Sequence, residues 1–402
     1  MTGINETRVI IIGGGIGGLT TALALKQKGI EVEIYEKAKK FHPIGIALGV
    51  LHNGASVLKK LGIQHKLAEQ GEVFKSFKVT TSDGKSLYEM PLDKLDKMFG
   101  VESVALLRSD LHDLLLSAAS DVPIHYDYKL ESYQANEHEV VARFANGKEV
   151  HGSVLVGADG IRSVVRQIML GDKPPRSVGT WWGGITEAND ILDKGCFSMV
   201  MGKGAMANYF PLADGKTLYA FSGETDEIAR DFAASVVREV DQGRRISKAE
   251  LTTSFGGWAE PVSALVDRID EDSLIRWDVF DRPTTKHWVV GRVALLGDSA
   301  HAMVPTLGQG ANQTMEDAIF LADSLNRIND PVRALKNYER RRKFRAQFIV
   351  SCANGLTKLG TSQNRVVCAM RDLFMRFAPN LVLKSFIWFK GFPEKSLTKN
   401  II

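Results

Sequence analysis

The stretch Val9-Ile10-Ile11-Ile12-Gly13-Gly14-Gly15-Ile16-Gly17-Gly18-Leu19 decides the fold of this chain. A continuous apolar run leads into a glycine cluster, and a continuous run is what a strand buried on both faces requires. Leu19, Ala22, Leu23 and Leu25 then recur at helical spacing until Gly29 stops the helix. Glu31 to Glu36 follows as a second strand. Strand, turn, helix, strand is a βαβ-type opening and implies a parallel sheet. Gly13, Gly15 and Gly18 hold G-x-G-x-x-G spacing. The first permits a tight turn, the second lets a pyrophosphate approach the backbone, and the third lets the helix pack closely on the strand. The helix N-terminus offers free N–H groups and a positive dipole end to that diphosphate. Glu36 ends the second strand, where a carboxylate bonds ribose hydroxyls, and Lys37 follows it.

A second glycine-rich segment lies near the other end: Val293-Ala294-Leu295-Leu296-Gly297-Asp298-Ser299-Ala300-His301, then Pro305 and Gly308-Gln309-Gly310-Ala311-Asn312. Asp298 falls at the C-terminal edge of a buried strand, placed to accept a hydrogen bond from a polyol chain such as ribityl. Gly308 to Asn312 opens a helix whose amides can meet the pyrimidine edge of a flavin, which gains negative charge on reduction. One long dinucleotide spanning both loops accounts for the pair, and the flavin form is the leading idea. A third segment, Val154-Leu155-Val156-Gly157-Ala158-Asp159-Gly160, is again strand and turn before a helix. A single G-x-G-x-x-G follows a strand, so NADH or NADPH would be a transient co-substrate with no resident site of its own.

The chain has 402 residues, 44% hydrophobic and 24% charged, which predicts a globular protein of two domains. A net charge of +4 without a basic block argues against nucleic-acid binding. Cys196, Cys352 and Cys368 form neither a disulfide framework nor a metal-ligand pattern. A reducing cytoplasm and no metal are therefore expected. The N-terminal apolar run is too short for a signal peptide, and no stretch is apolar enough to span a bilayer.

Helices are expected at 53–70, 109–119 (with Ser109 as cap), 226–240, 258–269, 311–327 and 331–360. Strands are expected at 140–144 and 149–156 about an Asn146-Gly147 turn, at 195–200, 207–211 and 217–222, and again at 289–296.

Together the three motifs resemble the single-component FAD-dependent aromatic hydroxylases, the para-hydroxybenzoate hydroxylase-like monooxygenases. Trp258-Ala259-Glu260-Pro261-Val262, Arg292 to His301, and Gly308 to Asn312 with Met315-Glu316-Asp317-Ala318 resemble the branch of salicylate hydroxylases, urate hydroxylase and zeaxanthin epoxidase. The resemblance implies an α/β fold: a Rossmann-type FAD-binding domain, an inserted antiparallel-sheet substrate domain and C-terminal helices. The boundaries it implies are 1–75, 100–175 and 285–345 for the first, 76–99 and 176–284 for the second, and 346–402 for the last. It further implies that Gly13, Gly15, Gly18, Glu36 and Lys37 hold the ADP half. Arg108 would contact FAD, with a surface arginine as the alternative. Asp159 would lie near the pyrophosphate, Asp298 on ribityl, Gly308, Gly310, Ala311 and Asn312 along the isoalloxazine, and Pro305 near its reacting edge. Reduction by NADH or NADPH and a flavin hydroperoxide formed from dioxygen are the implied chemistry. The cofactor carries it, so no catalytic triad is needed.

In the resemblance to urate hydroxylase, an arginine clamp falls at Met206 and an active-site tyrosine at Leu218. Loss of both argues against a small anionic purine. Trp182, Met206, Asn208, Phe210 and Leu218 then predict an apolar aromatic or isoprenoid substrate, with plain domain core as the competing reading. His301 is expected to be structural rather than a base. Tyr209 and Tyr219 could activate a phenol or simply pack the sheet, and His52 replaces the proline common before Asn53 in this branch. The tail from Asp372 to Lys390, rich in large apolar residues with interspersed Arg and Lys, is a docked helix or dimer face in the first reading. Peripheral membrane contact is the second. Two rivals remain: a flavin reductase or oxidase of isoprenoid-like substrates, and a non-redox nucleotide-fold binding protein. The intact Glu36, Arg108, Asp159 and Asp298 speak against the latter. Oligomeric state is not expressed in the sequence.

Overall fold

The computed structural model describes residues 7–40, 47–223 and 247–377. Its opening is the strand Arg8–Ile12, the helix Ile16–Lys26 and the strand Glu31–Glu36. Gly13 sits at φ +104°, and a Cβ there would lie 2.6 Å from the Ala158 carbonyl oxygen. At Gly18 a Cβ would run into the Gly13 carbonyl. Neither Gly13 nor Gly18 can carry a side chain, and the helix starts directly at the end of the central strand.

That strand lies inside a six-stranded sheet ordered Val289–Val290, Val293–Leu295, Val154–Gly157, Arg8–Ile12, Glu31–Glu36, Ile124–Tyr126. All neighbours are parallel except the edge pair Val289–Val290 and Val293–Leu295. Ile10, Ile11, Leu155 and Leu295 are fully buried, as central parallel strands covered on both sides must be. Two expected strands divide in two. Residues 289–296 fold back at Gly291, φ +55°. Residues 149–156 break near Ser153, because Glu149–Gly152 pairs with Val140–Phe144 while Val154–Gly157 enters the parallel sheet. The turn between Val140–Phe144 and Glu149–Gly152 places Gly147 at φ +77°.

A seven-stranded sheet follows the order Ile275–Asp281, Arg176–Glu187, Lys216–Gly223, Ala205–Pro211, Cys196–Met201, Ser76–Thr81, Ser86–Pro91. It is antiparallel but for one parallel pairing, between Cys196–Met201 and Ser76–Thr81. The helices Lys248–Phe255 and Val262–Arg268 contribute Leu251, Phe255, Val262 and Leu265 to a core on one of its faces. Ser247 and Glu250 close a reciprocal capping box at the first of them. The helix expected at 226–240 lies outside the described residues. Ser109 caps nothing: the helix begins at Arg108, and the Ser109 hydroxyl donates to Asp110 at 3.1 Å.

The helix Gly310–Arg327 packs on the glycine-loop helix Ile16–Lys26. The long helix Pro331–Gly360 starts with Pro331 in its first turn, and the Asp330 carboxylate accepts the Arg333 N–H at 2.8 Å. The helix Arg365–Phe377 closes the described chain against Ser86–Pro91. Among the described residues no helix is long and apolar enough to cross a membrane, and no cluster of His, Cys, Asp and Glu could hold a metal.

The contact at Gly18 is backbone against would-be side chain, so no rotamer can relieve it. Gly18→Ala is expected to lower unfolding free energy by about 2–3 kcal/mol, read from the urea midpoint. An unchanged midpoint would show that the helix can slide away from the strand.

Candidate active site

One cavity of about 1690 Å³ is lined by residues of both large sheets and of the last two helices. An ordinary small-molecule pocket holds roughly 300–1,000 Å³, so this one has room for more than a single such ligand. Its two ends differ in chemistry.

At the parallel-sheet end the wall carries Gly13, Gly15, Glu36, Lys37, Arg108, Asp159 and Asp298. Glu36 is fixed at its strand end by two backbone donors, Gly14 N–H at 2.8 Å and Ala38 N–H at 2.9 Å. Each oxygen keeps acceptor capacity for a hydroxyl. Arg108 opens the helix Arg108–Ala118 and makes no ion pair among the described residues. Asp159 accepts Val164 N–H at 2.7 Å and Val165 N–H at 3.2 Å through Oδ2. Its Oδ1 is buried without a partner. Desolvation, only partly offset by the Ser163 hydroxyl and the backbone donors, pushes its carboxyl above the usual range. A buried acceptor in a cavity wall fits a ligand that brings hydroxyl donors. A Cβ at Gly15 or Gly160 would meet nothing, so the backbone there stands open for close approach. These observations match an FAD molecule laid across the strand ends.

Asp298 follows Gly297 (φ +64°) and starts the short helix Asp298–His301. The turn is tied down beneath it. The Ser299 hydroxyl donates to the Gly157 carbonyl at 2.5 Å, and Gly297 N–H donates to Asp317 at 3.1 Å. His301 is fully enclosed, with Nε2 at 2.6 Å from Asp317; it is structural. Pro305, Gly308, Gly310 and Ala311 line the cavity, but Asn312 and Gly18 do not. Asn312 Oδ1 accepts Leu51 N–H at 2.9 Å, and its Nδ2 donates to the carbonyls of Gly49 and Gly308 at 2.9 and 2.7 Å. It braces the loop that lines the cavity.

Beneath this end lies a network that the sequence reading missed. Fully buried Arg342 meets Glu316 at 2.5 Å, Asp317 at 2.7 Å and Gln313 Oε1 at 2.7 Å. Arg345 meets Glu316 at 3.1 Å, and Asn53 Nδ2 donates to Glu316 at 2.7 Å and Gln309 at 3.0 Å. Desolvation opposes ionisation of Asp317, but its partners His301 and Arg342 outweigh it and hold its carboxyl below the usual range. His52 is likewise engaged, with Asp96 at 2.7 Å and Ser103 at 3.0 Å.

The other end of the cavity is apolar. Phe210 and Leu218 line it with Asn208, and so do Phe77, Phe197 and Met199. Met206 shares their strand face but is covered by Gly360, where a Cβ would strike its sulfur. Trp182 points away, into the core with Leu251 and Phe255, and its neighbour Trp181 takes the cavity position. Adjacent tryptophans alternate across a strand, and a register shift between Ser177 and Gly179 hides which one faces in. Tyr209 and Tyr219 lie in that same outer core. Burial pushes the Tyr209 hydroxyl up to about 12, and neither tyrosine lines the cavity. Phe348, Leu356, Met370 and Phe374 of the last two helices complete the chamber. Of the tail, the helix through Phe377 is docked by buried Arg371, whose guanidinium donates to the carbonyls of Gly202, Leu359 and Gly360. Residues 386–390 lie outside the described residues.

A family model described as FAD binding domain matches residues 6–353. The chain is 30% identical over 369 residues to an aurachin C monooxygenase/isomerase of Stigmatella aurantiaca, covering 92% of this chain and 93% of that one. It is 32% identical to 3-hydroxybenzoate 6-hydroxylase 1 of Aquipseudomonas alcaligenes, covering 84% and 85%. Klebsiella pneumoniae HpxO complexed with FAD and uric acid superposes with a TM-score of 0.83 at 25% identity, covering 96% and 97%. None of these comparisons lends support to a membrane contact.

Removing one partner from a buried, multiply bonded ion pair strands the others. Arg342→Met is expected to cost about 3–5 kcal/mol of stability, measured by denaturant unfolding. A loss under about 1 kcal/mol would mean that Glu316 and Asp317 are neutralised at little cost.

Proposed function

The chain belongs to the single-component FAD-dependent aromatic hydroxylases, and from that premise we propose that it is a monooxygenase using NADH or NADPH and dioxygen on an apolar aromatic or isoprenoid small molecule. The observation that carries this reading is a continuous cavity, polar and open-backboned at one end and apolar at the other. Bound FAD supplies hydride acceptance and dioxygen activation. The chain's own part is to bind, orient and exclude water. In this reading Gly13 and Gly15 face the pyrophosphate, with Gly18 keeping the helix close. Glu36, with Lys37 beside it, holds the adenosine ribose. Arg108 and Asp159 flank the diphosphate and Asp298 takes the ribityl chain. Gly308, Gly310 and Ala311 present the helix N-terminus to the pyrimidine edge, with Asn312 bracing them and Pro305 at the reacting edge. Phe210, Leu218 and Trp181 shield the reacting carbon from water. The segments 1–75, 100–175 and 285–345 form the FAD-binding domain, 76–99 and 176–284 the substrate domain, and 346–402 the C-terminal region. Two of its helices, Pro331–Gly360 in part and Arg365–Phe377, wall the chamber.

FAD-loaded protein is expected to oxidise NADH or NADPH faster when an apolar aromatic substrate is present, and to place one atom of labelled dioxygen in the product. Unlabelled product with saturated or dehydrogenated bonds would instead establish a reductase or oxidase. Asp298→Ala is expected to weaken FAD retention by roughly tenfold or more, through loss of a charged hydrogen bond. Equilibrium dialysis checks this, and unaltered retention would remove Asp298 from the FAD site.

A further inference from the structure

The apolar chamber contains one side chain whose polar atoms are both fully buried and unpaired. Asn208, in the strand Ala205–Pro211, is only 5% exposed and lines the cavity. Both its Oδ1 and its Nδ2 are buried without a hydrogen-bond partner. The choice of which atom is oxygen is immaterial here, because neither position has a partner. On the neighbouring strand Lys216–Gly223, Leu218 and Ala220 line the same wall, and Phe210 lies two residues on. Among lining residues of the seven-stranded sheet and the last two helices, Arg371 alone is charged. Its guanidinium is already bonded to three backbone carbonyls and to Asp372.

A buried amide left unpaired is less favourable than a leucine in the same place. Such a group is explained if a ligand completes it. We propose that Asn208 is the specificity determinant of this chamber, and that it selects a neutral aromatic substrate bearing a lactam- or amide-type edge. This inference rests on the monooxygenase reading of the site. The chemistry follows from the side chain. Oδ1 only accepts and Nδ2 only donates, and the two sit side by side on one carbon. Their complement is an N–H next to a carbonyl oxygen, the edge of a lactam. A carboxylate presents two acceptors, so one of its oxygens would face Oδ1. Its charge would also enter a wall whose one guanidinium is already committed. A hydrocarbon leaves both amide atoms unpaired.

Three bicyclic probes separate these cases: quinolin-2-one, its lactone isostere coumarin, which lacks the N–H, and 2-naphthoate. Dissociation constants with FAD-loaded protein are read from the change in flavin absorbance and by calorimetry, neither of which requires turnover. The lactam is expected to bind at least about tenfold more tightly than the lactone, and the carboxylate most weakly. In Asn208→Leu, which keeps the branched shape but removes the amide, the lactam-to-lactone ratio is expected to fall to about one. FAD content and melting temperature show whether that variant is folded, and the wild-type comparison needs no variant. Equal binding of lactam and lactone, tightest binding of the carboxylate, or a ratio unmoved by Asn208→Leu overturns the proposal. If wild-type flavin is still reduced by NADH or NADPH and labelled oxygen still enters product, the monooxygenase reading survives that result. If neither occurs, that reading itself fails.

Discussion

The buried charges around Arg342 are the constraint on which the parallel-sheet end of the cavity depends. Arg342 comes from the long helix, Glu316 and Asp317 from the helix that begins at the cavity, and Asp317 in turn holds His301 and Gly297 N–H. Asn53 brings in the helix His52–Lys60. Ions so placed have lost their hydration, and each is tolerable only while its partners stay. The arrangement therefore acts as a lock: the Asp298 turn, the Gly308–Ala311 loop and the two helices hold one relative position or forfeit several bonds together. A ligand site that stabilises developing charge needs that rigidity, because dipoles that must reorient during reaction stabilise it less.

How much of this was readable beforehand depended on whether the physics is local. The glycine turn, Glu36, Asp298 and the Gly308 loop declare themselves because each motif is contiguous, and Gly13 and Gly18 answer a nearby backbone contact. The parallel sheet followed from apolar runs of the right length. The ion network was invisible because its members, residues 53, 301, 313–317 and 342–345, meet only after folding. The choice between Trp181 and Trp182 was also hidden, since one bulge early in the strand reverses the parity of every residue after it. Met206 kept the expected face and still missed the cavity, because a distant glycine, Gly360, lets the long helix settle onto it. Asn312 had the right neighbourhood and a different task, bonding backbone instead of facing the cavity.

The two ends of the cavity are built from different material. The polar end is built from backbone, glycine, carboxylates and the cations Lys37 and Arg108. The apolar end is built from side chains of a sheet and two helices, which can be exchanged one at a time while total volume is kept. Relatives of similar length are named for hydroxybenzoate, urate and aurachin C. That range fits the rule that one fold can host several activities.

The order in which the strands arrive has a consequence for synthesis. Val154–Gly157 can pair with Arg8–Ile12 early, but its other neighbour, Val293–Leu295, is translated only after the intervening sheet. Likewise Ser76–Thr81 waits for Cys196–Met201. A growing chain thus displays two open strand edges, one of them continuously apolar, for as long as the ribosome takes to pass the intervening residues. Exposed edges of this kind invite pairing with other chains. The edge of Val154–Gly157 stays open until Leu295 has emerged. Truncations upstream of that point are expected to aggregate rather than yield a folded nucleotide-binding half.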